Sequence, residues 1–191
     1  MEDIKSSILK GKKGLVVGIA NERSLAWGIA KSVFQHGGEL ALTYQNAALQ
    51  KRLAPLAEKI NSKHIYEFDI QNYKKIPDFF QKLSEDFGSL DFIVHAVAFS
   101  DKEELKGDYV DTSKDNFLNT MEISCYSFTA LIKESLPFMN QNANFLTLSY
   151  YGAEKVIPHY NIMGVAKSAL ETSVKYLAAD LGKKSYKVNA I

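Results

Sequence analysis

The chain has 191 residues, a formal charge of +1 and 46% hydrophobic residues. That suits one globular domain with a sizeable core, spanning residues 1–191. The near-neutral balance leaves no electrostatic footprint for nucleic acid, no basic run marks a membrane surface, and no apolar run is long enough for a signal peptide or a bilayer span. The single cysteine, Cys125, excludes an internal disulfide and reads as a buried, inert thiol in a reducing compartment. The four histidines, His36, His64, His95 and His159, lack metal-ligand spacing, so no metal site is expected.

The first β-rich run is LVVGI (15–19), followed by GIANERSLAWGIA and a helical pattern over 25–36. Gly18 permits a tight turn and close approach of a ligand. Ser24 is placed to cap the helix, and Gly28 lets that helix pack near the strand. Free amides at such a helix start suit a pyrophosphate. The spacing is not the usual G-x-G-x-x-G, and an ordinary strand–loop–helix corner reads the same way.

The second run, ELALTY (39–44), ends in Thr43-Tyr44-Gln45-Asn46 before a helix over 46–60. The carboxylate that usually meets a ribose 2′-hydroxyl is missing. Gln45 is placed to bond an adenosine hydroxyl instead, or is simply a solvated turn residue. The nearest cations, Lys51 and Arg52, lie a turn into the helix, which leans towards NADH over NADPH. The third run, HIYEFD (64–69), ends at Asp69-Ile70, whose carboxylate and amide suit an adenine edge; capping of the helix over 73–87 by Asp69 or Asn72 is an equal reading.

The fourth run, DFIVHAV (91–97), is nearly all apolar, as the first is, which is expected of strands covered on both faces. Its end, Ala96-Val97-Ala98-Phe99-Ser100, offers small residues that let backbone approach a ribose or nicotinamide, or that merely pack against the next helix, over 113–138. NFLTLS (144–149), a helix over 159–181 and YKVNAI (186–191) complete the alternation. Strand and helix in turn predict right-handed crossovers and a parallel sheet with helices on both sides, an α/β fold that binds ligands beyond the carboxyl ends of its strands.

LSYYGAEKVIPHYNIMGVAK (148–167) holds two tyrosine–lysine pairs. Gly152 breaks the chain after the fifth strand, and Pro158 fits the first turn of a helix. Tyr151 and Lys155, four apart, are therefore expected in a loop. Tyr160 and Lys167, seven apart, are expected on the helix. Seven residues turn roughly 700°, within about 20° of two full turns, and rise roughly 10 Å, so both project from one face. A lysine so placed can hold ribose hydroxyls and lower the phenol's pKa. Two solvated residues on an exposed face would show the same spacing.

Together these residues resemble the short-chain dehydrogenase/reductase superfamily, and within it the bacterial enoyl-acyl-carrier-protein reductases. The resemblance covers nearly the whole chain, through GIANERSLAWGIA, TYQN, VHAVAF, LKGDYVDTS, LTLSYYGAEKVIPHYNIMGVAKSALE and KVNAI. It implies a Rossmann-like three-layer α/β/α fold with a doubly wound parallel sheet. It also implies reduction of a trans-2-enoyl thioester on acyl carrier protein by NADH, in fatty acid synthesis in the cytoplasm, by a homotetramer. Matched position by position, it assigns cofactor contacts to Gly18, Ser24, Leu25, Gln45, Asp69, Ile70, Val97 and Lys167. Tyr160 would stabilise an enolate, Tyr150 would shape the acyl pocket as a second active-site tyrosine, and Ser100 would stand beside substrate. Ala96 stands where the family usually has serine, and Trp27 where tyrosine is frequent. The family continues past the sixth strand with a loop over the nicotinamide, lid helices and a last strand, so a truncated chain with weak binding at the nicotinamide end is expected. Two alternatives remain open on sequence grounds: another short-chain carbonyl reductase, such as one acting on a 3-oxoacyl thioester, and a dinucleotide-binding protein without turnover.

Overall fold

A computed structural model describes residues 5–191. The six β-rich runs become the strands β1 (Lys13–Val17), β2 (Glu39–Tyr44), β3 (His64–Glu67), β4 (Leu90–His95), β5 (Met139–Thr147) and β6 (Lys187–Ala190). They form one sheet in the order β3-β2-β1-β4-β5-β6, every pair parallel. In register, Leu15 of β1 faces Ala41 of β2 on one side and Ile93 of β4 on the other. The chain works outwards from β1 to β3, crosses back, and works outwards again from β4 to β6. The order reverses between β1 and β4, where a doubly wound sheet opens its crevice.

Side-chain alternation along β1 explains the layers. Leu15 and Val17 enter a core with Phe80, Phe128, Leu131, Phe145 and Leu170. Val16, between them, enters a second core with Ala30, Leu42, Leu53, Leu56 and Val94. The first core lies under α3 (Ile76–Phe87), α5 (Ser127–Ser135) and α6 (Asn161–Gly182); the second lies under α1 (Leu25–Gln35) and α2 (Ala47–Lys59). Three helix starts carry the side-chain caps their sequences offer: Ser24 accepts from Trp27 N at 3.3 Å, Asn46 from Leu49 N at 3.1 Å, and Ser113 from Asn116 N at 3.1 Å at the start of α4 (Lys114–Met121). No helix of the described residues is long and apolar enough to cross a membrane.

Several boundaries differ from expectation, and β3 and β4 each end two residues before their runs do, at Glu67 and His95. β1 ends at Val17, so Gly18 and Ile19 lie past the strand. β5 begins at Met139, earlier than the apolar run suggests, and takes up the slack in a register shift opposite Leu90 and Phe92, with Asn142 left-handed at φ 64°. The helix expected over 113–138 is α4, a π-helical turn at Glu122–Tyr126, α5, and a 3-10 turn at Leu136–Phe138. Lastly, α6 starts at Asn161, so Pro158 lies in the preceding turn instead of the first helical turn; His159, left-handed at φ 60°, breaks the helical path between them.

Phe80 is fully buried on α3 and stacks on Phe138 with ring centroids 6.0 Å apart. Phe80→Ala is expected to remove about 3–5 kcal/mol of stability, read as a lower urea midpoint with an unchanged m-value.

Candidate active site

A cleft of about 390 Å³ opens at the carboxyl ends of β1 to β4. Gly18 and Ile19 line it after β1, Tyr44 and Gln45 after β2, Asp69 and Ile70 after β3, and Ala96 to Phe99 after β4, with Asn119 and Ile123 closing one wall. Gly18 sits at φ 106°, and a Cβ there would stand 2.2 Å from the Ala96 carbonyl oxygen. The loop after β1 therefore approaches the end of β4 as only glycine allows. At the rim, Gln45 Nε2 donates to Asp69 Oδ1 at 3.3 Å, and the Gln71 amide donates to the same oxygen at 3.1 Å. Asp69 thus closes a turn after β3, and the neighbouring Asn72 makes no side-chain cap.

Of the expected cofactor residues, Gly18, Gln45, Asp69, Ile70 and Val97 line this cleft. Ser24 and Leu25 stand at the start of α1, Ser24 as its cap and Leu25 exposed at its first position. Gly28 does not serve close packing: it is exposed, and a Cβ there would meet nothing within 4 Å. Ser100 lies one residue past the cleft wall, accepting from Thr120 Oγ1 at 2.9 Å and exchanging bonds with Asn116 at 3.2 and 3.3 Å.

The tyrosines and lysines separate as pairs. Tyr151 lies in a 3-10 turn and Lys155 just after it, with the Lys155 ammonium 5.0 Å above the Tyr151 ring, on the surface. Tyr160 occupies the N-cap position of α6, and Lys167 lies within that helix. The Tyr160 ring meets Tyr150 edge-on with centroids 4.8 Å apart. Lys167 is 5% exposed, and its ammonium donates to the Leu148 carbonyl at 2.6 Å, at the end of β5. Glu171, one turn along, accepts a bond from Ser149 and favours the lysine's charge, as does Cys125; burial opposes both and leaves the lysine below its ordinary value.

The electrostatics of the phenol run against expectation. Burial raises the pKa of Tyr160, and the Tyr150 phenol raises it further. Lys167 does not pull it down, because its ammonium is turned to the Leu148 carbonyl. A phenol in this setting keeps its proton and can act as a hydrogen-bond donor.

The family profile described as enoyl-(acyl carrier protein) reductase matches residues 18–191. The chain belongs to this family. An NADH enoyl-acyl-carrier-protein reductase of Rhizobium meliloti is 53% identical over 186 residues, covering 97% of this chain and 68% of the relative. Another from Rickettsia felis is 52% identical over 186 residues, covering 97% and 72%. Among solved structures, the reductase of Anaplasma phagocytophilum in complex with NAD superposes with a TM-score of 0.94 at 56% identity, covering 98% of this chain and 73% of that one. The Aquifex aeolicus reductase gives 0.93 at 48% identity, covering 95% and 72%.

Within this family fold, the reductase chain holds a histidine that sequence inspection set aside. His95, at the end of β4, is fully buried, with Nδ1 3.0 Å from Thr147 Oγ1 and Nε2 2.8 Å from Ser127 Oγ. Ser127 in turn donates to the Ile123 carbonyl at 2.6 Å. The imidazole therefore ties β5 to the π-helical turn that supplies a cleft wall. The signal in the sequence is a single histidine inside the apolar run DFIVHAV. Asn119, on α4, and Ile123, on the π-helical turn, carry no comparable signal in the sequence.

Burial, reinforced by the charge of Lys167, pushes His95 from 6.5 down to about 3. The unfolded chain binds a proton there that the folded chain refuses, so stability is present above 6.5 and is lost as pH falls through that window towards about 3. His95→Gln is expected to be less stable at neutral pH but to show a shallower fall of Tm across that window than the parent. A parallel fall in both proteins would assign the acid sensitivity to other groups. Gly18→Ala is expected to lose more than about 1 kcal/mol, because the backbone there is left-handed and the Cβ has no room, read by thermal unfolding.

Proposed function

We propose that this chain reduces trans-2-enoyl-acyl-carrier-protein to the saturated acyl-acyl-carrier-protein with NADH, in the elongation cycle of fatty acid synthesis. Family membership and relatives named as NADH enoyl-acyl-carrier-protein reductases support the reaction class. The observation that carries the mechanism is the Tyr160 phenol, half-buried edge-on against Tyr150 at the start of the helix that also bears Lys167.

The cleft fits a dinucleotide. Its small wall residues, Gly18, Ala20, Ala96 and Ala98, leave backbone within reach of a ligand, and the free amides at the start of α1 suit a pyrophosphate. Gln45 and Asp69 would take the adenosine end, with Ile70 beside them. Gly18, Ser24 and Leu25 would meet the phosphates, and Val97 and Lys167 would hold the nicotinamide side. NADH, when bound, supplies hydride to the β-carbon of the enoyl thioester. Tyr160 donates a hydrogen bond to the thioester oxygen as negative charge gathers there in the enolate, which is then protonated at the α-carbon. In carbonyl reduction the oxygen needing a donor sits on the carbon that takes hydride; here it sits two carbons further along. The seven-residue separation of Tyr160 and Lys167 accommodates that displacement. Tyr150 shapes the acyl end of the pocket, and Ser100 supports the loop beside it.

Residues 1–191 act as one dinucleotide-binding domain in this reading. The reductase works in the cytoplasm as a homotetramer. Exposed apolar side chains at Leu118 and Tyr126, on α4 and the π-helical turn, and at Tyr176, on α6, support an assembly face. The carbonyl-reductase alternative needs Tyr151 and Lys155 on a helix. A surface turn and a mutual ring contact leave that pair outside any helical register.

Crotonyl-thioester reduction followed by NADH absorbance is the test. Tyr160→Phe is expected to lower kcat by about 10²–10³-fold, the loss usual for a single oxyanion donor. A wild-type rate would remove Tyr160 from the mechanism. Lys167→Met is expected to raise the KM for NADH more than the KM for the thioester. Faster turnover of an acetoacetyl thioester than of a crotonyl thioester would favour the carbonyl reductase.

A further inference from the structure

Tyr160 lies between two residues with unusual backbone: His159 at φ 60° and Asn161 at φ 33°. Non-glycine residues enter this region rarely and stay there only when their surroundings hold them. His159 has no side-chain bond that accounts for it among those described. Asn161 has two. Its Nδ2 donates to the Gly107 carbonyl at 2.7 Å and to the Glu104 carbonyl at 3.2 Å. Both amide hydrogens are thereby spent on the loop that runs from the cleft wall at Phe99 to the start of α4.

That loop is largely exposed and has few other fixings. Its first residue, Asp101, donates its amide to Asn116 Oδ1 at 3.0 Å. The Glu104 carboxylate takes bonds from Ser113 N and Oγ at 2.9 and 2.7 Å. Those contacts hold the loop to α4. Asn161 alone, among the hydrogen bonds described, holds it to α6.

The seat of the Tyr160 ring makes this tether matter. The ring has close neighbours: a Cβ at Gly152 would stand 2.5 Å from Tyr160 Cδ1, and Tyr150 meets the ring edge-on. It also borders a second cavity of about 390 Å³, lined by Tyr160 and Asn161, by Gly152, by Tyr109 from the loop, and by the segment around Val156. α6 also begins without a side-chain cap at Tyr160, and Asn161 is the residue by which the helix start grips the loop.

We infer that Asn161 is a positioning residue for the reduction: its amide clamps the loop of Glu104 and Gly107 to the start of α6, and so fixes the attitude of the Tyr160 phenol. This rests on the donor role given to Tyr160 above. Misplacing a reacting group by about 1 Å can reduce a rate by roughly 10²-fold, so the clamp is a specific requirement of turnover. It does not touch the cleft lined by Gly18 and Gln45, so it leaves dinucleotide binding alone.

The test uses the intact chain, with NADH affinity measured by fluorescence titration and kcat measured on a crotonyl thioester. Asn161→Ala, Asn161→Gly and Asn161→Asp are each expected to lower kcat by at least about tenfold while NADH affinity stays within about twofold. Glycine separates the two parts of the residue, since it accepts positive φ but has no amide. A wild-type kcat in Asn161→Gly overturns the clamp and leaves only a backbone requirement. Asparagine's shape without its donors is supplied by aspartate, and a wild-type kcat there overturns the proposal as well. The last arm is the double variant Tyr160→Phe with Asn161→Ala. If Asn161 acts through the phenol, the second substitution adds little further loss once the hydroxyl is gone. Equal losses in both backgrounds overturn the proposal, as does a fall in NADH affinity that tracks the fall in kcat. A normal rate in Tyr160→Phe alone would sink the donor role itself, whereas a slow Tyr160→Phe beside a fully active Asn161→Ala would sink only the clamp.

Discussion

β1 and β4 lie side by side in the sheet, yet the chain leaves their ends towards opposite faces. From β1 it passes into α1, which packs with Val16. From β4 it passes towards α4 and α5, and α5 packs with Leu15. Two chains that diverge from adjacent strands must leave a gap, and the cleft is that gap. Gly18 meets the Ala96 carbonyl there, and the absent side chain at Gly18 allows the two ends to approach. The rest of the site is arranged around this reversal. β2 and β3 bring Gln45 and Asp69 to one end, while β5 and α6 bring Tyr150, Tyr160 and Lys167 to the sheet's other half.

Burial acts on the two α6 residues in a consistent way. It disfavours charge, so it raises the Tyr160 phenol and lowers the Lys167 ammonium. For the tyrosine this suits the donor role proposed for it, because an oxyanion needs a donor that still has its proton. For the lysine it is countered by Glu171, whose carboxylate is itself held by the Ser149 hydroxyl. Beneath them His95 stays neutral and adds no second positive charge beside Lys167. Tyr160 at the N-cap and Lys167 two turns along α6 are thus held by separate contacts, the ring against Tyr150 and the ammonium on the Leu148 carbonyl.

Much of the frame was legible along the chain. The six strands overlap the six β-rich runs, and β1 and β4 are nearly continuous apolar runs because they lie inside the sheet with helices over both faces. Ser24 announces a helix start because a cap is a local interaction, three residues from acceptor to donor. The site was legible in part. Gly18, Gln45, Asp69, Ile70 and Val97 could be named because position after a strand is enough to put a residue at the crevice. The direction of the Tyr160 pKa was not. It depends on where the Lys167 ammonium points, and that is set by a carbonyl nineteen positions away in the chain. Gly28 misled for a related reason: a glycine in a helix looks the same whether it faces a strand or open solvent.

The helical register expected for Tyr160 and Lys167 does not hold, since Tyr160 stands at the N-cap, outside α6, between two left-handed residues. By itself, the sequence determined the alternation of strands and helices, the parallel sheet that follows from it, and the strand ends that open on the cleft. These are matters of period and neighbour, and they need only short-range geometry. Only the tertiary structure decided that the helix after β4 carries a π-helical turn, that His95 is locked between Thr147 and Ser127, and that Asn161 reaches back to the carbonyls of Glu104 and Gly107. The bonds of His95 and Asn161 join groups dozens of residues apart. No local pattern records such a contact, because it exists only once the sheet has brought the ends of its strands to one edge.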